Sequence, residues 1–321
     1  MILTDYLING QQLTGERSSL IVGTTHFTSI SPRINSVTVN GRSGVMLPAG
    51  PVAFDAPEIT LKFITDGPDA DTLMHRFYRL CRLASKLTRV ERDTVSGWAR
   101  RMTASAVCTS CQPDGDEIPW DDHRAATAVF QLPDVYWQGE QWQERTLDAT
   151  GGRLMAGGVK PSTQKYWTRW QGERNASPSL LADFYTFWTG LPNNSPSVLV
   201  PLGEGIPEGW LSDAPITTLV LRFGVATGVT ISDPVSGTNL MWGGKRDASR
   251  PYLFVDVANR KAWTAANADA WSGGTDASNG IDWTTEPLQV WPAIDSGDYR
   301  LAIKQTGSAD KVTCRFLQSW E

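Results

Sequence analysis

The chain has 321 residues, with 29 Lys and Arg against 34 Asp and Glu for a formal net charge of −5, 40% hydrophobic and 20% charged residues, 29 Gly, 19 Pro, four Cys and 14 Trp. This length and composition provide for one or two globular domains with a substantial core and exclude a disordered chain. The acidic balance excludes a general nucleic-acid binder, which needs a cationic face for phosphate, and no stretch approaches the roughly 18 to 20 apolar residues of a membrane-spanning helix.

The N-terminal MILTDYLING has no basic flank leading into an apolar run, so no secretory leader is expected. Short strands separated by turn signals follow. Val37 to Val39 precedes Asn40-Gly41, and Ile59 to Phe63 alternates apolar with polar residues at period two. Further strand candidates are Ala104 to Cys108, Ala126 to Leu132, Ser197 to Leu202, Thr217 to Phe223, Tyr252 to Val257, Tyr299 to Lys304 and Val312 to Leu317. Their spacing predicts a mainly β chain built as sandwiches or barrels.

Two helices interrupt this pattern. Leu73, Phe77, Leu80, Ala84 and Leu87 recur at helical spacing, which predicts a prominent helix over about 71–89, capped by Asp69 or Asp71, with its basic end suited to the helix dipole. A shorter one is expected from Pro178 to Thr189, with Ser177 as cap and Gly190 as stop. The Gly-rich stretch Thr146 to Gly158 marks the expected border between domains 1–150 and 151–321.

Charge is segregated in the first half. His75 to Arg101 holds Arg76, Arg79, Arg82, Lys86, Arg89, Arg92, Arg100 and Arg101 against only Glu91 and Asp93. Met102 to Thr150 reverses the sign, with Asp114, Asp116, Glu117, Asp121, Asp122, Asp134, Glu140, Glu144 and Asp148 against Arg124 and Arg145. The two runs form either complementary faces that meet between neighbouring subunits or solvated faces that pair locally.

Chemistry-bearing patterns are few. Cys108-Thr-Ser-Cys111 lacks a second ligand pair for zinc, and on a regular strand residues three apart point to opposite faces; the expected role is that of small core or loop thiols. Cys81 and Cys314 complete a thiol set too sparse for a disulfide scaffold, which suits assembly in reducing cytoplasm. The acidic loop Asp114-Gly-Asp116-Glu117, continued by Asp121-Asp122, offers oxygens but not EF-hand spacing, and reads as a solvated loop. No nucleophile elbow, zinc-protease helix or phosphate loop is present, so no enzyme activity and no cofactor or metal is expected. Trp98 is the only tryptophan before Trp120, and Trp242, Trp263, Trp271, Trp283 and Trp291 cluster late; of these Trp242, Trp263 and Trp271 are candidates for glycan or partner contact, against the alternative of core packing.

Several stretches together resemble one family. They are Ser31 to Gly44 (SPRINSVTVNGRSG), Ile59 to Phe63 with the following helix, Phe130 to Trp137 (FQLPDVYW), Leu211 to Ile216, Ile231 to Gly237, Tyr252 to Trp263 and Trp271 to Thr275. Their order and spacing are similar to those of the distal tail proteins of siphovirus-type bacteriophages, especially minor tail proteins of phages of actinobacteria. The resemblance implies an N-terminal β-sandwich with a helix that forms a six-fold ring, and an outer C-terminal galectin-like or jelly-roll β-sandwich. It implies a virion structural protein, assembled in the host cytoplasm, at the distal end of the tail. There a homohexameric hub would join the tail-tube protein to the tail-tip hub protein and seat receptor-binding proteins. Within that picture Arg76, Arg79, Arg82, Arg100 and Arg101 and Asp114, Asp116, Glu117, Asp121 and Asp122 are the candidate subunit-interface residues. The segment 160–191 fits smaller members poorly and reads as an insertion. A carbohydrate-binding adhesion module of the tail tip is the alternative.

Overall fold

The computed structural model describes residues 2–25, 28, 30–33, 43, 53–95, 97–115, 122–147, 198–201, 212–225, 227–244, 248–282, 287–293, 299–306 and 312–321. The chain is mainly β and divides into two compact units, Met1–Gln141 with Glu208–Ala214 and Ser319–Glu321, and Trp142–Pro207 with Pro215–Gln318. The division thus precedes the Gly-rich stretch expected to carry it, and neither unit is contiguous. Strand pairing is the reason. Trp137–Gly139 is bonded to the C-terminal Ser319–Trp320, whereas Gln143–Leu147 already pairs with Val312–Phe316. The strand expected at 37–39, the helix at 178–189 and the segment 160–191 lie outside the described residues.

The first unit contains β1 (Ile2–Ile8), β2 (Gln11–Gln12), β3 (Ser18–Leu20), β4 (Pro32–Arg33), β5 (Ala53–Phe54), β6 (Glu58–Asp66), α1 (Ala70–Arg82), β7 (Lys86–Asp93), β8 (Ala99–Ser105), β9 (Val107–Asp114), β10 (His123–Gln131) and β11 (Trp137–Gly139). Its larger sheet has the order β2-β1-β7-β8-β11, closed by Ser319–Trp320, and its smaller one the order β3-β6-β10-β9. Both sheets feed one core, with Tyr6 and Ile8 from β1, Leu87 from β7 and Met102 and Ala104 from β8 on one side, and Ile59, Leu61, Phe63, Ala126, Ala128 and Phe130 from β6 and β10 on the other. The alternation along β6 is the period-two signal of the sequence made physical.

Helix α1 lies against β6, β10 and β9. It buries Ala70, Met74, Phe77 and Cys81, with Phe77 stacked on Phe63 at 4.4 Å. Neither expected aspartate caps it by its side chain: Asp69 occupies the N-cap but its carboxylate takes Arg17 at 3.3 Å, and Asp71 takes Arg124 at 2.8 Å.

The helix also ends at Arg82, not near 89. Lys86–Asp93 is a central strand, paired antiparallel with β1 from Leu87 to Asp93 and with β8 from Lys86 to Arg92. Ladder bonds on both edges outweigh the helical spacing of Ala84 and Leu87, since short-range pattern yields to tertiary pairing. The exit is clamped from the β1–β2 turn, where Asn9 adopts φ 50°. Its Nδ2 donates to the Leu83 carbonyl at 2.7 Å, and its Oδ1 accepts from the amides of Ser85 and Lys86, each at 3.0 Å. The candidate strand Ala104 to Cys108 likewise proves to be a junction, with Ala106 between β8 and β9.

The second unit contains β12 (Gln143–Leu147), β13 (Val198–Pro201), β14 (Leu219–Phe223), β15 (Gly228–Ser232), β16 (Asn239–Gly243), β17 (Tyr252–Asp256), β18 (Lys261–Ala265), β19 (Thr275–Asp276), β20 (Arg300–Thr306) and β21 (Val312–Phe316); β22 is the Ser319–Trp320 strand of the first. Its sheets run β12-β21-β14-β17-β18-β19 and β13-β20-β15-β16. Leu219, Leu221, Phe223, Val229, Ile231, Leu253, Val255, Leu301, Cys314 and Phe316 fill the core they share. At the β15–β16 turn the buried Asp233 accepts from the amides of Val235 at 3.3 Å and Ser236 at 2.8 Å, and burial still pushes its carboxyl above the usual range.

Asn9→Ala removes a side chain that satisfies three backbone groups at the helix exit. It should cost about 1–2 kcal/mol of stability, read from the first transition in urea unfolding.

Candidate functional site

The basic run of the sequence is not one surface. In the strand β7 successive side chains point to opposite faces, and the register that pairs Leu87 with Ile8 and Arg89 with Tyr6 sends Leu87, Arg89 and Glu91 inward. Arg89 and Glu91 are 2% exposed. They are ion-paired to each other, and Arg100, opposite Glu91 on β8, donates from Nε to the second Glu91 oxygen at 2.5 Å. The Arg100 guanidinium also lies over the rings of Trp98 at 5.6 Å and Trp320 at 5.5 Å. Next to this triad Tyr6 donates its hydroxyl to the Thr25 carbonyl at 3.1 Å; burial raises its phenol to about 12, with Arg89 opposing and Glu91 adding to the shift. Arg100, its side chain 18% exposed, is thus tied to the buried carboxylate of Glu91.

Arg101 points outward but is held by Glu140 at 2.9 Å, and Lys86 approaches the same carboxylate at 3.9 Å. What remains of the basic run is the exposed Arg92 of β7 and the outer side of α1. Arg76 donates to Gln11 Oε1 at 3.3 Å, while Arg79 and Arg82 are exposed and have no ion-pair partner among the described residues.

Acidic side chains collect at the opposite end of the helix. Asp66, Asp69 and Asp71 flank its start, the Gly67 amide donates to the Asp122 carbonyl at 2.7 Å, and the register that sets Ala125 opposite both Asp114 and Ile64 brings Asp114 to this end of the sheet. His123 engages Asp66, and Thr127 donates to Asp114. Asp122 adopts φ 63° at the start of β10. Asp116, Glu117 and Asp121 lie outside the described residues. Helix α1 thus runs from an acidic corner to a basic flank, where the sequence showed two successive runs.

The cysteines of the C-x-x-C stretch meet in a way the strand rule did not anticipate. The ladder between β9 and β10 shifts by one residue at Val129/Phe130, so that Ala128 faces Cys111 and Phe130 faces Cys108. The extra residue, Thr109, re-phases the strand, and both thiols turn toward the core and toward Cys81 in the last turn of α1. Cys81 belongs to the core that Cys108 and Cys111 pack against from the edge strand, and Cys108 donates to the Ser110 carbonyl at 3.2 Å. Among the described residues no three His, Cys, Asp or Glu side chains converge as a metal ion requires.

In the second unit the three singled-out tryptophans are packed. Trp242, 3% exposed, lies in the core and donates from its indole nitrogen to the Ala277 carbonyl at 2.9 Å, so it offers no ring face to a sugar. Trp263 stacks on Phe254 at 5.4 Å and donates to the Ala270 carbonyl at 2.8 Å. Trp271 meets Phe254 edge-on at 5.3 Å, and the guanidinium of Arg315 lies 4.3 Å from its ring centroid with that of Arg222 at 5.2 Å. Arg315 is fixed by Glu144 at 2.7 Å, and Arg222 by the Ala268 carbonyl and Thr313 Oγ1, each at 2.8 Å. These rings form a second small core on the outer face of the larger sheet. Among the described residues Trp142 is the half-exposed tryptophan, and no sequence pattern singled it out.

No protein-family model matches the sequence, and no curated protein is similar to it. Among solved structures the chain is similar over 99% of its length to the whole of the Dit hub protein of phage SPP1, which infects Gram-positive bacteria, at 13% identity and a TM-score of 0.52. The likeness is one of fold. The activated phage P2 baseplate with calcium also aligns over 98% of both chains, at 11% identity and a TM-score of 0.36.

Glu91→Ala takes the shared carboxylate from the buried Arg89 and the partly buried Arg100 and should destabilise the first unit by about 3–5 kcal/mol in urea unfolding followed by tryptophan emission. Replacing the triad together by Arg89→Met, Glu91→Leu and Arg100→Met should restore the stability or exceed it.

Proposed function

We propose that this chain is an architectural protein of a siphovirus-type phage tail, a distal tail protein of a phage of actinobacteria, whose first unit is a ring-forming β-sandwich and whose second is an outer galectin-like sandwich. The observation that carries the reading is the fold shared with the SPP1 hub protein along the entire length of both chains. A match to one unit alone would support only a common β-domain. Six copies form a closed hub between the tail tube and the tail tip and seat receptor-binding proteins. The role asks for contacts and not turnover, so no catalytic residues are assigned.

The polarity of α1 supports a head-to-tail ring. A closed ring uses two different faces of each subunit, and complementary charge fixes which faces meet. The basic flank with Arg76, Arg79 and Arg82 suits the acidic corner of a neighbour, with Asp114 and Asp122 there and Asp116, Glu117 and Asp121 next to them in sequence. Arg101 contributes at the rim once released from Glu140.

Native mass spectrometry of the full chain with the tail-tube protein should give hexamers. The pair Arg76→Glu and Arg79→Glu should shift assembly toward monomer, and raising salt should weaken the wild-type ring in the same direction. Monomers under all conditions, with the tube partner present, would overturn the reading.

A glycan-binding role for the second unit has one observation in its favour, the half-exposed ring of Trp142. Saturable binding on a glycan array that Trp142→Ala removes is the outcome that supports it, and an array that stays blank retires it.

A further inference from the structure

Exposed charge pairs contribute little on their own, so the polarity of α1 can set which faces of two copies meet but not how firmly they hold. Each end of the helix carries something besides charge. At its exit the Ala106 amide donates to the Ser85 carbonyl at 3.1 Å, which brings the C-cap residue Leu83 and the first residue of β9, Val107, to one corner. Leu83 is 74% exposed and Val107 53%. The bond from Asn9 to the Leu83 carbonyl fixes the backbone there, while the side chain stays open to solvent. Arg79 and Arg82, exposed and without an ion-pair partner among the described residues, accompany this apolar pair along the last turn of the helix.

The acidic corner repeats the design with the opposite sign. Pro68 stands between Asp66 and Asp69 in the turn into α1, Pro113 precedes Asp114 at the end of β9, and both prolines are exposed. The two corners cannot serve each other within one copy. The thirteen-residue α1 and the eight-residue β9 both run between them, a span of roughly 20 Å at about 1.5 Å per helical residue. That is more than twice the screening length of about 8 Å at physiological salt, so the arginines find no acidic partner in the far corner of their own copy.

From this arrangement we infer that the two corners are the halves of one contact between copies of this chain, in which Leu83 and Val107 of one copy pack on Pro68 and Pro113 of the next while Arg79 and Arg82 meet the acidic rim. The inference rests on the ring reading and deepens it, since it supplies the apolar anchor that charge alone does not. Proline suits the receiving surface, because it has no amide N–H to leave unsatisfied when water is expelled. On the edge strand β9 it also bars a neighbouring strand from extending the ladder at that point, so the contact is made by side chains. Taking the two aliphatic side chains out of water adds the affinity that screened ion pairs lack. The surfaces joined are unlike, so each copy can hold one neighbour at either corner and the series closes as a ring.

The test uses the full chain, with and without the tail-tube protein, in native mass spectrometry and sedimentation velocity. Leu83→Ser with Val107→Thr should raise the concentration needed for half assembly about tenfold or more. Leu83→Met, which keeps an apolar side chain, should assemble as the wild type, and so should Val22→Ser, which trims a side chain 97% exposed beyond β3. Pro113→Lys with Asp114→Lys should be impaired like the first double variant. Mixed in equal amounts, the two double variants should form a one-to-one pair and nothing larger, because each keeps the half that the other lost. Two results overturn the anchor and leave the ring reading standing: rings indifferent to both double variants, or a mixture that stays monomeric while the variants keep the wild-type urea midpoint. Assemblies sensitive to the variants but of a number other than six uphold the anchor and overturn the hexamer. A wild-type chain that is monomeric under all conditions overturns both.

Discussion

The hydrogen-bonded register of one central strand, Lys86–Asp93, sets most of what the first unit does. It pairs on one edge with Ile2–Ile8 and on the other with Ala99–Ser105, and both ladders must be satisfied together because a buried strand cannot leave amides and carbonyls unpaired. Once that register is fixed the preceding helix must stop at Arg82, and Asn9 holds the exit with its side-chain amide. It also decides the fate of every charge on the strand. A slip by one residue would exchange Leu87, Arg89 and Glu91 with Thr88, Val90 and Arg92, and so take Leu87 out of the core and bring the exposed Arg92 toward it.

The inward charges are an expensive way to fill a β core. Each ion loses hydration worth several kcal/mol, and mutual attraction restores that only with good geometry and full hydrogen bonding. Here one carboxylate serves two guanidiniums, and the second guanidinium is sheltered between Trp98 and Trp320. An apolar filling would be at least as stable, so the triad is better explained by specificity. It penalises a shift of the strand against Ala99–Ser105, because that separates Glu91 from Arg100 across the ladder. The same network fixes Trp320, which brings the C-terminus of the chain into the first unit.

What the sequence made legible follows the range over which each signal acts. The alternation of Ile59, Leu61 and Phe63 was sufficient to locate β6, and the all-β character followed from many such runs. The helix was found with its start correct to one residue, since Asp66-Gly-Pro-Asp is local information, but its end was misplaced because Ala84 and Leu87 keep helical spacing while a distant strand claims them. Asp69 and Asp71 had the right chemistry for caps and were drawn away by Arg17 and Arg124, residues more than 50 positions removed. The basic run was legible as composition and not as a surface: Arg89 went inside, Arg100 was drawn to the buried Glu91, Arg101 was paired, and the helical arginines and Arg92 remained exposed. Had the period of two been applied to residues 86–93, the opposite facing of Arg89 and Arg92 would have been visible from the outset.

The bulge at Thr109 illustrates a harder kind of illegibility. Nothing in Cys108-Thr-Ser-Cys111 announces an extra residue, because the bulge arises where β9 must stay in step with both Ala128 and Phe130 across β10. Those two partners are small and large in turn, and both line the core to which α1 contributes Cys81. Proximity of the three thiols is thus a product of packing, and their spacing in sequence says little about it. The tryptophans of the second unit make the same point in reverse. Trp242 and Trp263 looked like candidate contacts by residue type alone, yet each indole N–H is satisfied by a backbone carbonyl that only the folded chain supplies. A tryptophan so satisfied has spent its polar group on the fold, which leaves recognition to rings such as Trp142 whose exposure no sequence pattern records.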